Sequence, residues 1–310
     1  MGMQKAIVVG LSALLATAAA VVRGAQPDDQ VDPADIGPLN KLVAEWRGAA
    51  PAKPRRVLLF SECFGYNHRD GRRYGDYAFT LAGKQSGAWQ IFHERNVARL
   101  ADKGFLAGFD AIVFNNSTGV SEAKAPGLTE ALMAYVKGGR GIALIHSGLD
   151  AFKDSDRLMA MFGGLFRGHP WHYEGTWRFL NEAAAHPVNA AFRGSGTSFS
   201  KQDEIYQFPT YFDRKTCKVL ISIDLSDPAT KAAEDRWRRT FGPGATRTDH
   251  DYAVSWVKTS GKGRIFYTSF GHGKSAFLDR ECLYHMFAGL QYVLCDIDDG
   301  AEAKSVAMVP

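Results

Sequence analysis

Histidines in this chain recur where an apolar run gives way to a turn. His68 follows the run 56–61, within Phe64-Gly65-Tyr66-Asn67-His68-Arg69. His146 ends Gly141-Ile142-Ala143-Leu144-Ile145 and precedes Ser147-Gly148. His272 follows a third run, within Ser269-Phe270-Gly271-His272-Gly273. His169 and His172 lie together in Gly168-His169-Pro170-Trp171-His172, and Asp203-Glu204-Ile205-Tyr206 supplies carboxylates and a phenol. Imidazole titrates near neutrality and a neighbouring carboxylate orients it, so such a set can move protons. The same nitrogen and oxygen donors can bind a divalent metal. No HExxH or other compact ligand motif occurs, so spacing leaves both chemistries open and names no metal. Trp171, Trp177 and Tyr206 offer aromatic faces that suit the C–H surface of a sugar ring. His93, His186, His250 and His285 are read as hydrogen-bonded structural residues.

For His68, His146 and His272 to act together, their strands must end at one edge of a sheet. The pattern provides for that. Apolar runs at 56–61, 89–93, 111–115, 142–145, 219–223, 252–257 and 264–269 read as strands. Segments 77–84, 96–103, 128–137, 155–162 and 280–294 read as helices between or after them. This alternation predicts an α/β fold with a mostly parallel sheet and helices on both faces. Gly261-Lys262-Gly263 between the last two strands is a hairpin signal, so the sheet is expected to be mixed at one edge. The stretch 163–216 breaks the alternation and is expected to be a loop-rich insertion over the strand ends. The segment 224–250 reads as an edge loop over the site, and Arg236-Trp237-Arg238-Arg239 within it as a solvated loop. Open α/β sheets bind ligands outside the carboxyl ends of their strands, which is where these histidines fall.

Composition narrows the function classes. A chain of 310 residues, 45% hydrophobic and 23% charged, has material for a substantial core in one domain or two. The net charge of +4 is modest, and no lysine/arginine block marks a nucleic-acid arm. Lys5 and the apolar run 6–22 read as a signal peptide or N-terminal anchor over 1–25, with Ala25 as one cleavage point. That pattern predicts export to a bacterial periplasm or cell surface, or an uncleaved membrane anchor. Residues 26–54, rich in Pro, Asp and Ala, are expected to be a linker with one short helix at 38–46. Residues 297–310 are expected to be a flexible tail. Cys63, Cys217, Cys282 and Cys295 form no CxxC and are read as buried free thiols. Gly138-Gly139-Arg140-Gly141 precedes a strand rather than following one, so it is no dinucleotide fingerprint. Neither a P-loop nor a GxSxG elbow is present.

Several motifs, in order, resemble those of one family. They are Phe60-Ser61 with Gly65-Tyr66-Asn67-His68, then Asn115-Asn116-Ser117-Thr118-Gly119, then the run from Gly138 through Ser147. Phe166-Arg167-Gly168-His169-Pro170, His186-Pro187-Val188 and Asp203-Glu204-Ile205-Tyr206-Gln207-Phe208 follow, and the run from Gly261 through His272 closes the set. Together they look like the ThuA-like, or trehalose-utilisation, family over residues 55–296. The resemblance implies a three-layer flavodoxin-like fold similar to class I glutamine amidotransferases. It also implies carbohydrate utilisation, chiefly of disaccharides or their oxidised 3-keto forms. By match to the motifs, it carries over His68, His146, His169, Glu204 and His272 as catalytic positions, with Asp203 as a companion. Trp171, His172, Asp203 and Tyr206 are expected to bind substrate. The amidotransferase elbow carries a cysteine where this chain has His146, which argues against glutamine hydrolysis through a thioester. The expected function is sugar processing by His/Glu acid–base or metal-assisted chemistry; the alternative is a carbohydrate-binding module using the same cleft. The expected partner is a small carbohydrate and not a nucleic acid, a divalent metal is left open as cofactor, and so is a homo-oligomer.

Overall fold

The computed structural model describes residues 30–299. The expected signal or anchor segment, residues 26–29 of the expected linker and residues 300–310 of the expected tail lie outside the described residues. The strands are β1 (Arg56–Phe60), β2 (Gln90–Glu94), β3 (Ala111–Asn115), β4 (Gly141–Ile145), β5 (Thr176–Asn181), β6 (Ser198–Gln202), β7 (Lys218–Ile223), β8 (Ala253–Ser260) and β9 (Gly263–Thr268). The helices are α1 (Pro33–Glu45), α2 (Arg69–Ser86), α3 (Lys103–Leu106), α4 (Leu128–Lys137), α5 (Asp156–Phe162), α6 (Pro228–Phe241), α7 (Lys274–Leu278) and α8 (Arg280–Val293).

All nine strands form one sheet, in the order β2-β1-β3-β4-β9-β8-β7-β5-β6. The first five pair in parallel, and every pairing beyond β9 is antiparallel. The inner parallel strands β1, β3, β4 and β9 are buried on both faces, which is why their sequences run largely apolar without alternation, whereas edge strand β2 is only partly covered. Val57, Leu59, Val113, Ala143 and Ile145 join a core with residues of α1, α2 and α8. Leu58, Phe60, Ile112, Phe114, Ile142 and Leu144 face the opposite way, into a second core with α4 and α5. The fold is therefore α/β with a nine-stranded mixed sheet.

Three segments differ from expectation. The short helix expected at 38–46 is present as α1, but it starts earlier, at Pro33, and is no linker: it packs into the first core through buried Leu39 and Val43. Trp46, just past its end, sets its ring 5.2 Å from Trp89 and 5.1 Å from Phe287. Pro33 opens this helix, where its missing N–H costs nothing, whereas Pro38 lies inside it and gives up one intrahelical bond, which the packing of Leu39 and Val43 outweighs. The stretch 163–216 carries β5 and β6, which widen the sheet. The segment 224–250 carries α6, capped by Asp227, whose carboxylate accepts the Thr230 N–H at 2.8 Å. Arg236-Trp237-Arg238-Arg239 is thus helical rather than a loop.

The smaller differences are local. Helix α2 starts earlier than expected, and 96–103 is mostly a 3-10 turn. All four cysteines are free; Cys217 and Cys282 are buried, whereas Cys295 is exposed just beyond α8. Of the expected tail, Asp298 pairs with Arg264 at 2.5 Å and Asp299 with His186 at 2.8 Å. Among the described residues, no helix is long and apolar enough to cross a membrane.

Candidate active site

The segments that follow β1, β3, β4 and β9 form the floor of the site. His68 stands at the N-cap of α2, buried, with Nδ1 3.0 Å from Ser147 Oγ and Nε2 3.1 Å from the Tyr206 hydroxyl. Asn116, after β3, donates from Nδ2 to the Gly271 carbonyl at 2.9 Å. His146, after β4, has φ of 49°, and Asn116 beside it has φ of 54°. Left-handed backbone at a non-glycine residue costs about 1–3 kcal/mol and persists only where the surroundings fix it. Here the fixing contact is a short one: His146 Nδ1 lies 2.6 Å from the Ser269 carbonyl. A carbonyl only accepts, so Nδ1 carries the hydrogen and Nε2 of neutral His146 presents a lone pair. Helix α2 presses close to this layer at Gly71, where a Cβ would stand 2.4 Å from the Gly271 carbonyl and 2.5 Å from Asn116 Nδ2.

The carboxylate comes from the antiparallel side. Glu204 follows β6 by two residues. Trp177 on β5 donates its single indole N–H to two carbonyls, His172 at 2.9 Å and Asp203 at 3.1 Å, clipping both loops together. The Asp203 carboxylate accepts the N–H of Glu204 at 2.9 Å and of Gly271 at 2.6 Å. It therefore ties the Glu204 backbone to the turn that carries His272. Glu204 Oε1 lies 3.2 Å from His272 Nδ1 and 3.7 Å from His146 Nε2; Oε2 lies 3.4 Å from His169 Nδ1. His272 Nδ1 and His146 Nε2 are 3.3 Å apart.

Charge follows from these neighbours. Burial opposes the Glu204 anion, but the adjacent His146 and His272 imidazoles win and hold its carboxyl below the usual range. Burial also opposes a cationic His272, and there too Glu204 wins and raises it. For His146 burial dominates, so it is held neutral relative to a free imidazole. Burial, with His146 and His272 nearby, drives His68 down to about 2. Asp203 is pushed up to about 7 by complete burial.

The cleft above this floor has a volume of about 650 Å³. Of the residues singled out in the sequence, His68, His169, His172, Glu204, Tyr206 and His272 line it. His146 is fully buried directly behind Glu204 and His272. Two expected substrate residues do not face the cleft. Trp171 is fully buried, donates to the Thr230 carbonyl at 3.0 Å, and packs edge-on to Tyr252; it is core and no sugar platform. Asp203, also fully buried, holds backbone rather than ligand. Asp150, Phe166 and Tyr173 line the cleft and were not foreseen as site residues. Two 3-10 turns after His146 bring Asp150 back to the opening, where burial pushes its carboxyl up to about 6 despite Lys153 at 2.6 Å. His93, His186, His250 and His285 have side-chain partners in Thr80, Asp299, Glu234 and Ser255, in keeping with structural roles.

Two groups of ligand-type side chains share Glu204: His68, His146 and His272 with it, and His169 and His172 with it. A family model described as trehalose utilisation, ThuA, matches residues 56–293. The chain belongs to the ThuA family. The match runs from β1 to the end of α8, so it contains every residue of the floor and leaves α1 outside. A ThuA-like protein from Bacteroides uniformis superposes with a TM-score of 0.59 at 17% identity, over 80% of this chain and 94% of that one. A second ThuA-like protein, from Parabacteroides merdae, gives a TM-score of 0.53 at 14% identity, over 78% and 90% of the two chains. At such identities the likeness is one of fold. No curated protein matches the chain. Membership in the ThuA family implies a role in trehalose utilisation or a related sugar pathway.

Proposed function

We propose that this ThuA protein is an exported sugar-processing enzyme, acting on a disaccharide or its 3-keto derivative at the centre formed by Glu204, His146 and His272. One observation carries the reading: a single carboxylate at the floor of an open cleft is approached by three imidazoles from separate segments. Burying a carboxylate and imidazoles side by side costs folding free energy, and recognition of neutral hydroxyls does not require it. That cost favours catalysis over a binding module in the same cleft. Glu204 and His272 face the cleft and are the groups that would meet the substrate. His146 acts through them as a positioning residue, because it is fully buried. His169 and Asp150 would take sugar hydroxyls, with Phe166 and Tyr206 beneath the ring.

The amidotransferase-like, flavodoxin-like ancestry belongs to this proposal. It is supported by the strand order β2-β1-β3-β4 and by an elbow after β4 that carries His146 in place of a thiol. Cys63 does not supply the missing nucleophile: its Sγ lies 3.0 Å from the Asn116 carbonyl, and burial pushes the thiol up. Export rests on Lys5 and the apolar run 6–22. The test is to incubate the full chain with disaccharides and their 3-keto forms and follow products by NMR. Conversion by the wild type that His272→Ala abolishes supports the enzyme. Tight binding with no product supports the binding module instead.

A further inference from the structure

We propose that His146 Nε2, His272 Nδ1 and Glu204 Oε1 bind one first-row divalent cation, with a fourth position open toward the cleft. The inference deepens the sugar-chemistry reading and rests on it only for the substrate that would use the open position.

The geometry of the three atoms carries it. Their separations are 3.3, 3.2 and 3.7 Å, a nearly equilateral triangle. Tetrahedral ligands at about 2.1 Å from an ion stand about 3.4 Å apart, so the triangle matches one face of such a site. A hydrogen on His272 Nδ1 accounts for two sides of the triangle, to Glu204 Oε1 and His146 Nε2, but not for the third. Because His146 Nδ1–H is committed to the Ser269 carbonyl, neutral His146 turns a lone pair on Glu204 Oε1, itself an acceptor. Two acceptors facing each other at 3.7 Å are reconciled by a cation between them.

The surroundings fit a ligand set as well. A metal-binding imidazole characteristically donates its other N–H to a carbonyl or carboxylate, as His146 does to Ser269. Asp203 accepts the backbone N–H of one ligand, Glu204, and of Gly271, the neighbour of another, and so fixes both at once. His68 offers a ring nitrogen within 4.8 Å of the other three donors. Both of its nitrogens are already engaged, by Ser147 and Tyr206, which leaves the fourth position to solvent or substrate. Two histidines, one carboxylate and an open position is an arrangement used by catalytic rather than structural zinc.

The experiment uses the full chain, stripped with EDTA, reloaded with Zn²⁺, gel-filtered and analysed for metal. Titration calorimetry with Zn²⁺ gives the affinity. The expected result is one ion bound to the wild type, with affinity reduced about 100-fold or more in His272→Ala and in Glu204→Gln. Circular dichroism confirms that each variant is folded, and two positions guard against one failing. His172→Ala should keep the ion; its loss there, with retention in His272→Ala, would move the cation to His169, His172 and Glu204 and overturn the assignment. A wild type that retains no Zn²⁺ also overturns it. The two readings fail separately: an ion bound with no sugar converted sinks the enzyme alone, and conversion unaffected by EDTA sinks the metal alone.

Discussion

From the ends of β1, β4 and β9, in the parallel half of the sheet, come His68, His146 and His272. From the loops flanking β5 and β6, in the antiparallel half, come His169 and Glu204. The two halves hold these residues differently. His146 directly follows its strand, His272 comes shortly after its own, and His68 stands where α2 begins; His146 is fastened to the Ser269 carbonyl and His68 between Ser147 and Tyr206. Glu204 is held at longer range, by the Trp177 indole and the Asp203 carboxylate, which bridge loops distant in sequence. The parallel half therefore sets where the centre lies. The antiparallel half supplies its carboxylate, together with much of the cleft wall.

The largest effect is expected in the parallel half's contribution. His272→Ala should lower turnover on the order of 10²–10⁴-fold while leaving the melting temperature nearly unchanged, as read by NMR product analysis beside calorimetry. A variant that keeps most of its turnover would show that the antiparallel half alone carries the chemistry. In the antiparallel half, Trp171→Ala should cost about 3–5 kcal/mol in urea unfolding, because it empties a fully buried indole site. Loss of sugar affinity with stability intact would instead put Trp171 in the cleft.

The seam between α2 and the strand ends gives a smaller effect. Gly71→Ala places a methyl 2.4 Å from the Gly271 carbonyl, next to His272. It should cost about 1–3 kcal/mol by chemical denaturation and lower activity more than an equal loss elsewhere. Least of all, Asp150→Asn should stabilise the fold at high pH. The folded carboxyl is raised from 3.8 to about 6, so the native state binds more protons than the unfolded chain across that window. Stability then falls as pH rises from about 4 to about 6, and the deficit persists above it. The Asn variant should gain about 1–2 kcal/mol at pH 8 and nothing at pH 3.5, measured as melting temperature against pH.

The same two halves differ in how far the sequence reveals them. β1, β3, β4 and β9 are legible because burial on both faces demands an unbroken apolar run, and α4 falls at 128–137 as its periodicity predicts. β5 carries a signal too, since Trp177 and Phe179 alternate inward, but Gly and Pro on either side obscure it. Helix α1 is legible only in part, as the short helix at 38–46 whose start its prolines blur; what makes it part of the fold rather than of a linker is the burial of Leu39 and Val43 against distant residues, which no local pattern reports. In the site, the strand-end histidines and Glu204 could be read from position and type. Trp171 misleads because its neighbours His169 and His172 face the cleft while its own ring turns to Tyr252. Asp150 is invisible because only the turns after His146 return it to the opening.

The account stands most directly on Glu204, whose carboxylate meets imidazoles from both halves. Wild type and Glu204→Gln should be compared by NMR on disaccharides and 3-keto-disaccharides, with calorimetry to confirm equal folding. The account predicts that the wild type converts at least one of these sugars and that the variant, equally folded, converts it on the order of 10³-fold more slowly. Equal conversion by both proteins, or binding without conversion by either, would contradict it.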